Sequence, residues 1–241
     1  AIVATKVGVR VGGPGEHASS DLSPQWIRQD TENSLKRLGR DCIDLIQIHW
    51  PCDSQTDLGD SLDTLDRLRD EGKIRFYGLC NYEAADVEEA SQREGMVSLQ
   101  TPYSLLRREF ESKLLASVSG PKPVGVLAYE PLCRGLLTGK FKVAPTFPET
   151  DMRSWDERFQ GQRFLHARGL VADLERVGSR LNVPTAAVAI GWVIAQTGLT
   201  AAIAGAKTEA QVRQNAKASA VAQNSRAIGI IDKIAAIHGG W

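Results

Sequence analysis

Six short runs of branched aliphatic residues, each separated from the next by a helical segment, constrain the fold of this 241-residue chain more than any other feature. Strands that alternate with helices in units of about 30 residues are too far apart in the chain to pair as tight hairpins. Each has to cross over and return parallel to its predecessor, so the pattern predicts an α/β fold around a parallel sheet. The sharpest run is Ile43 to Ile48, which ends abruptly in His49 and Trp50. Short and rich in branched aliphatics, it reads as a buried parallel strand. His49 then stands at its carboxyl end, where α/β barrels build their active sites from the loops that follow the strands. A histidine hydrogen-bonded for structural reasons at a strand terminus is the competing reading.

Taken in order, Ile2 to Thr5 is a short strand leading directly into Lys6, and the Gly/Pro/Ser-rich stretch from Gly12 to Ser20 is a loop. Ser23 supplies an N-cap and Pro24 a first-turn proline for a helix whose Ile27, Leu35 and Leu38 share a face and which Gly39 ends. Leu58, Leu62, Leu65 and Leu68 repeat at helical spacing up to Gly72, before a strand from Ile74 to Leu79. Asn81 opens a helix through Val87 and Ala90, Val97 to Gln100 is a further strand, and a helix containing Leu114, Leu115 and Val118 leads to a strand from Val124 to Tyr129. The excursion from Pro131 to Phe164 breaks the rhythm with Gly, Pro and charged residues and reads as a functional loop. Helices resume with Leu170, Leu174, Val177 and Leu181 and, past Pro184, with Val188 and Trp192. Ala202 to Ala204 is the last strand, Thr208 to Gln211 is a capping box for the next helix, and a final helix covers Ser225 to Ile237.

With 42% hydrophobic and 24% charged residues, the chain suits one barrel domain over residues 1–241. Its 29 basic and 29 acidic residues give zero formal net charge, so no overall field draws in nucleic acid or an anionic membrane. Any anion must be held locally. Cys42, Cys52, Cys80 and Cys133 are scattered without a CxxC pair, which indicates neither a zinc site nor a disulfide framework and fits a reducing cytoplasm. No apolar run approaches the roughly 18 residues of a membrane span, and Lys6 and Arg10 interrupt the amino-terminal segment. A soluble, cytoplasmic protein with no membrane partner is the expectation.

The spacing of short motifs then produces a resemblance. Ala4-Thr5-Lys6 comes first, followed by Ser34-Leu35-Lys36-Arg37-Leu38-Gly39 with Asp44-Leu45 and His49-Trp50-Pro51, and by Glu71-Gly72-Lys73-Ile74-Arg75 with Gly78 and Asn81. Leu99-Gln100 with Tyr103-Ser104-Leu105, Tyr129 with Pro131 through Lys140, and Gly205-Ala206-Lys207 with Gln211 and Asn215 complete the set. In this order and over nearly its whole length the chain resembles the bacterial-type aldo-keto reductases. The resemblance implies a (β/α)8 TIM barrel that binds NADP(H) and reduces small aldehydes or ketones to alcohols by hydride transfer. It also places Ile2 to Lys6 at the third strand, so that six of eight βα units are visible and the shortfall is on the order of 60 residues. Three accounts of the shortfall stand: a segment preceding Ala1, a truncated product, or a six-unit variant whose open sheet edges pair with a second copy in a homo-oligomer.

Of that family's catalytic aspartate, tyrosine, lysine and histidine, Lys6 matches the lysine and His49 the histidine. The aspartate and tyrosine are expected upstream of this sequence. In such a reaction a lysine ammonium lowers the tyrosine pKa and a histidine orients the carbonyl oxygen. Tyr77 is mid-strand, and Tyr82 and Tyr103 match family positions with no acid role. The resemblance further implies that Asn81 and Gln100 hold the nicotinamide amide, with Cys80 replacing the usual serine and weakening one hydrogen bond. Tyr129 matches the aromatic that stacks on the nicotinamide ring, core packing being the alternative. Pro131, Leu132, Cys133 and Arg134 match the loop around the pyrophosphate, and Lys140 and Arg153 are either its clamps or solvated loop charges. Glu130 stands where the family more often has serine or glycine and carries no assignment.

Gly205, Ala206 and Lys207 precede a helix N-terminus whose unpaired N–H groups, with a lysine alongside, make a phosphate site. By resemblance it holds the adenosine 2′-phosphate, with Gln211, Gln214 and Asn215 around the adenine, which favours NADP over NAD; an ordinary surface helix is the other reading. Trp50, Trp155 and Trp241 either wall an apolar substrate pocket or pack the rim. Two other functions fit the same residues: a catalytically impaired nicotinamide-binding sensor or regulatory subunit, like the potassium-channel β subunits of the family, and a fragment that cannot fold cooperatively.

Overall fold

In the computed structural model, which describes residues 1–12, 18–52 and 56–238, the first strand is β1 (Ala4–Val7). It begins two residues later than Ile2 and takes Lys6 into its interior, because the ladder sets Lys6 beside Gln47 and Val7 beside Ile48. Val9–Arg10 (β2) and Ser19–Ser20 (β3) pair antiparallel, so the far end of the stretch from Gly12 to Ser20 is strand and not loop; its residues 13–17 lie outside the described residues. Contacts divide the chain into one unit of Ala1–Thr101 with Glu111–Leu127 and another of Pro102–Phe110 with Ala128–Trp241.

In the first unit, helix α1 (Pro24–Leu38) starts as its sequence requires: the Ser23 hydroxyl accepts the Trp26 N–H at 3.3 Å, and Pro24 fills the first turn, where no donor is needed. Gly39 closes it at φ 62°, a left-handed conformation that glycine adopts without strain. Ile27 and Leu35 are buried, but Leu38 is 41% exposed, because it occupies the last turn where nothing remains to cover the face. Strand β4 (Ile43–Ile48) lies between β1 and β5 (Ile74–Cys80), and β6 (Met96–Pro102) follows β5, all parallel. Helix α2 (Leu58–Asp70), capped by Asp57, buries Leu62, Leu65 and Leu68 completely. Each such side chain contributes about 1.5–3 kcal/mol.

Helix α3 (Ala84–Ala90) starts later than Asn81, since Asn81 has φ 66° and a left-handed residue cannot begin a right-handed helix; Asp86 accepts the Glu83 N–H at 3.4 Å. The helix expected around Leu114 is two short ones, α4 (Glu109–Lys113) and α5 (Leu115–Val118), broken at Leu114 where φ is −124°. Strand β7 (Gly125–Tyr129) comes next.

The second unit folds much of the excursion after Tyr129 around itself. Tight 3₁₀ turns occupy Cys133–Thr138 and Glu157–Phe159, and α6 (Gly161–Leu181) claims its last residues. Phe141, Phe147 and Phe159 pack edge to face with centroids 5.2–6.0 Å apart, which anchors the stretch to the core. Helix α7 (Thr185–Ile194) places Trp192 in the centre, fully buried, its ring stacked on Tyr103 at 5.5 Å and its Nε1–H bonded to Asp232 at 2.7 Å. Strand β8 (Leu199–Ile203), α8 (Glu209–Ala216), a short α9 (Ala218–Ala222) that the sequence reading missed, and α10 (Ser225–Ile237) complete the chain. Among the described residues no single helix is long and apolar enough to cross a membrane.

Candidate active site

His49 is the first residue beyond β4. Its N–H donates to the Val7 carbonyl at 3.0 Å, and its own carbonyl accepts Nδ2–H of Asn81 at 3.1 Å, so the backbone that carries the imidazole is tied on both sides. The ring is half-buried and lies 6.0 Å from that of Trp50, which is 47% exposed. Burial, and then the positive charge of Lys6, hold His49 below its ordinary pKa. The imidazole is therefore neutral at neutral pH. Burial pushes the Cys80 thiol up to about 12, against an opposing pull from Lys6.

Lys6 thus acts on both His49 and Cys80. With Asn81 they form one cluster at the carboxyl ends of β1, β4 and β5, and Gln100 joins it through Cys80, whose thiol reaches Gln100 Oε1 at 3.7 Å. A neutral imidazole beside an ammonium can orient a carbonyl oxygen and stabilise negative charge that develops on it. Two of the three tyrosines set aside as acids are engaged elsewhere, and the third, Tyr82, is buried with its hydroxyl unpartnered among the described residues. Tyr77 donates to Asp66 at 2.7 Å, Tyr82 is buried with its pKa raised chiefly by that burial, and Tyr103 is stacked in the core of the second unit. Among the described residues no cluster could hold a metal ion, and all four cysteines are free.

The second unit contains a cavity of about 930 Å³, within the usual range of ligand sites. It is lined by Pro131, Leu132, Arg134, Lys140, Arg153, Gly205, Ala206, Lys207, Gln211, Gln214 and Asn215, all singled out from the sequence. Two expected neighbours are not in its lining. Tyr129 is half-buried at the end of β7 with its carbonyl accepting the Tyr103 N–H, and Cys133 is fully buried with Sγ 3.0 Å from Ser104 Oγ, because a left-handed turn at Cys133 and Arg134 sends the thiol inward. Gly135, at φ 93°, continues that turn; a Cβ there would stand 3.2 Å from Lys140 Nζ.

Four cationic side chains, Arg134, Lys140, Arg153 and Lys207, line the cavity beside two carboxylates, Glu130 and Asp151. Burial, then the charges of Arg153 and Lys207, lower the Lys140 pKa, so three cations converge on one space. Asp151 counters them, holding Arg153 through both Nε and Nη2. Glu130, unassigned from the sequence, also lines the cavity, with its charge met by arginines: one oxygen takes Arg134 Nε at 2.9 Å and the other lies 3.5 Å from Arg158, which Asp156 also binds at 2.6 Å. The sequence reading missed these partners, although Asp-x-Arg occurs twice, at Asp151–Arg153 and Asp156–Arg158. The helix at Lys207 is capped one residue off the expected pattern. Thr208 Oγ1 accepts the Gln211 N–H at 3.3 Å, whereas Gln211 Oε1 takes the N–H of Lys207, at 2.6 Å, in place of that of Thr208. Trp155 is 70% exposed and bonded to the Glu149 carbonyl, and Trp241 lies outside the described residues.

Three known proteins are similar to this chain. An aldo-keto reductase of Schizosaccharomyces pombe named for NADP(+) is 29% identical over 88% of this chain and 63% of its own, and an NADH-specific methylglyoxal reductase of Escherichia coli is 30% identical over 82% and 60%. The solved structure of a glycerol dehydrogenase from Gluconobacter oxydans superimposes with a TM-score of 0.90 at 33% identity, covering 99% of this chain and 73% of that one, which establishes the α/β, TIM-barrel class of fold. The chain spans 56–63% of the length of four curated relatives, the first two among them. A model of the Aldo/keto reductase family matches residues 1–236, from the strand carrying Lys6 to the last helix, and the chain belongs to that family.

Proposed function

We propose that the protein is an NADP(H)-dependent oxidoreductase of small aldehydes or ketones, in which Lys6 and His49 act with an aspartate and a tyrosine expected upstream of this sequence. The observation that carries this reading is the tie of His49, by its N–H to the Val7 carbonyl and by its carbonyl to Asn81, on the strand next to the one that carries Lys6. Bound nicotinamide supplies the hydride. His49 donates to the carbonyl oxygen and steadies its growing charge, while the Lys6 ammonium favours the ionised form of the proton-donating phenol.

Asn81 and Gln100 of the first unit take the nicotinamide amide. In the second unit Tyr129 takes the ring, Pro131, Leu132, Cys133 and Arg134 wrap the diphosphate through their loop, and Lys140 and Arg153 neutralise it. Lys207, with Gly205 and Ala206, takes the 2′-phosphate, and Gln211, Gln214 and Asn215 surround the adenine. The crowded cations of the cavity support NADP over NAD, since a further phosphate relieves their repulsion. Residues 1–241 are read as one barrel domain working in the cytoplasm, where the free thiols stay reduced.

The test is steady-state oxidation of NADPH and NADH with a panel of small aldehydes, followed by nicotinamide absorbance. Turnover with NADPH at least about tenfold more efficient than with NADH is expected, one ion pair being enough for that difference. Preference for NADH would overturn the cofactor assignment. Tight NADPH binding without turnover would replace the enzyme with a sensor.

A further inference from the structure

Strand β4 buries a polar side chain that the proposed chemistry does not use. Gln47 is 1% exposed, whereas Asp44, the other polar residue of that strand, is only partly buried. The register sets Lys6, Gln47, Gly78 and Ser98 in one row across β1, β4, β5 and β6, with an irregularity between Tyr77 and Gly78 that brings Ser98 opposite the glycine. A glycine inside a strand signals a close approach. Here a Cβ on Gly78 would stand 2.1 Å from Ser98 Oγ and 2.4 Å from the Ser98 carbonyl oxygen. The gap lets the Gln47 amide cross β5 and reach two partners on β6. Its Nε2 donates to Ser98 Oγ at 3.1 Å, and its Oε1 accepts Nε2–H of Gln100 at 2.8 Å.

The chain of bonds keeps one direction from its other end. The His49 carbonyl can only accept, so Asn81 must turn Nδ2 toward it. The same Nδ2 donates to Cys80 Sγ at 3.2 Å, which leaves the thiol hydrogen to go to Gln100 Oε1. Gln100 then faces Cys80 with oxygen and Gln47 with nitrogen, and Gln47 has to answer with its own oxygen. Every amide is oriented by the one before it.

Resting on the reading that Asn81 and Gln100 hold the nicotinamide amide, we propose that Gln47 is a positioning residue: its buried carbonyl pins the Gln100 side chain so that Oε1 is presented to the N–H donors of the nicotinamide carboxamide. Gln47 itself touches no ligand. A role confined to core satisfaction would weaken all nucleotides alike, whereas positioning of Gln100 acts only on a ligand that has the donor.

The test is equilibrium titration of the purified protein with NADP+ and with its 3-acetylpyridine analogue, in which a methyl group replaces the carboxamide nitrogen. The unmodified protein is expected to favour NADP+ by about tenfold, the worth of one such bond. Gln47→Met should bring that ratio to about twofold or less, chiefly by weakening NADP+, and Ser98→Ala, which removes only the far partner of Gln47, should lower it about threefold. Should Gln47→Met give no cooperative melting transition, Ser98→Ala decides. A ratio unchanged in the folded variants, equal weakening of both nucleotides, or no preference in the unmodified protein would overturn the proposal. Binding of neither nucleotide by the unmodified protein would instead remove the assignment of the site itself.

Discussion

In the first unit Lys6 and Gln100 stand within strands and His49 and Asn81 one residue beyond them, held by ladder bonds and a chain of amides and a thiol. In the second, Arg134 and Arg153 stand on loops and are held by carboxylates: Glu130 and Asp156 for Arg134, Asp151 for Arg153. Neutral hydrogen bonds between buried groups are directional and leave little freedom, which suits a place where a carbonyl has to be aligned. Ion pairs that keep some contact with solvent, as Arg153 and Asp151 do, exchange partners more easily than buried neutral bonds. That suits a place where an incoming phosphate takes over from Asp151. One unit is built to aim, the other to trade charge.

If that division holds, changes in the first unit alter rate and changes in the second alter affinity. The largest effect is expected for Lys6→Met, which should lower kcat by about 10²–10⁴ while leaving the Kd for NADPH within about twofold; rapid-mixing and binding measurements on the same sample check it, and a loss confined to affinity would break the comparison. Lys207→Glu should do the reverse, raising the NADPH Kd by about tenfold to a hundredfold with NADH nearly unaffected, read by fluorescence titration. Smaller is Glu130→Gln. Arg134 and Arg158 lose a partner but keep Asp156, so a cost of about 1–2 kcal/mol in denaturant unfolding is expected, with no change in cofactor preference.

The smallest effect is a slope. His49 has a folded-state pKa below the ordinary value of about 6.5, so on acidification the unfolded chain takes up this proton first. The associated stability is complete above that value and is lost as pH falls below it. His49→Gln should therefore flatten the decline of Tm between about pH 7.5 and 5.5, by melting in matched buffers; an unchanged slope would place the imidazole in a solvated setting.

Elements governed by local rules were legible in advance. Ser23, Pro24 and Gly39 bracket α1 because caps and first-turn prolines act within a few residues, and Ile43–Ile48 is a strand because a short segment rich in branched aliphatics has few other uses. The cavity lining was legible through the motif around Pro131 to Lys140 and Gly205 to Lys207. What escaped was set by pairing across the fold. Leu38 has the right angle on α1 but no neighbour at that height. Asn81 looked like a helix start because its left-handed φ is imposed by a bond to the His49 carbonyl, 32 positions away. The same holds for Gln47, which nothing in its own strand distinguishes from an oddity until the register brings Gly78 and Ser98 alongside. Acid partners such as Asp151 and Asp156 were visible as a repeated dipeptide spacing, yet only folding shows which arginine each restrains.

The four thiols divide evenly by accessibility, and this has a practical consequence. Cys42 and Cys52 are half-exposed, whereas Cys80 and Cys133 are buried with their ionisation suppressed by that burial. An alkylating reagent attacks the thiolate, so two sulfurs react promptly and the other two wait for their surroundings to open. Because one slow sulfur belongs to each unit, mass spectrometry of partly labelled samples would time the opening of the two halves separately, without any reporter having been added.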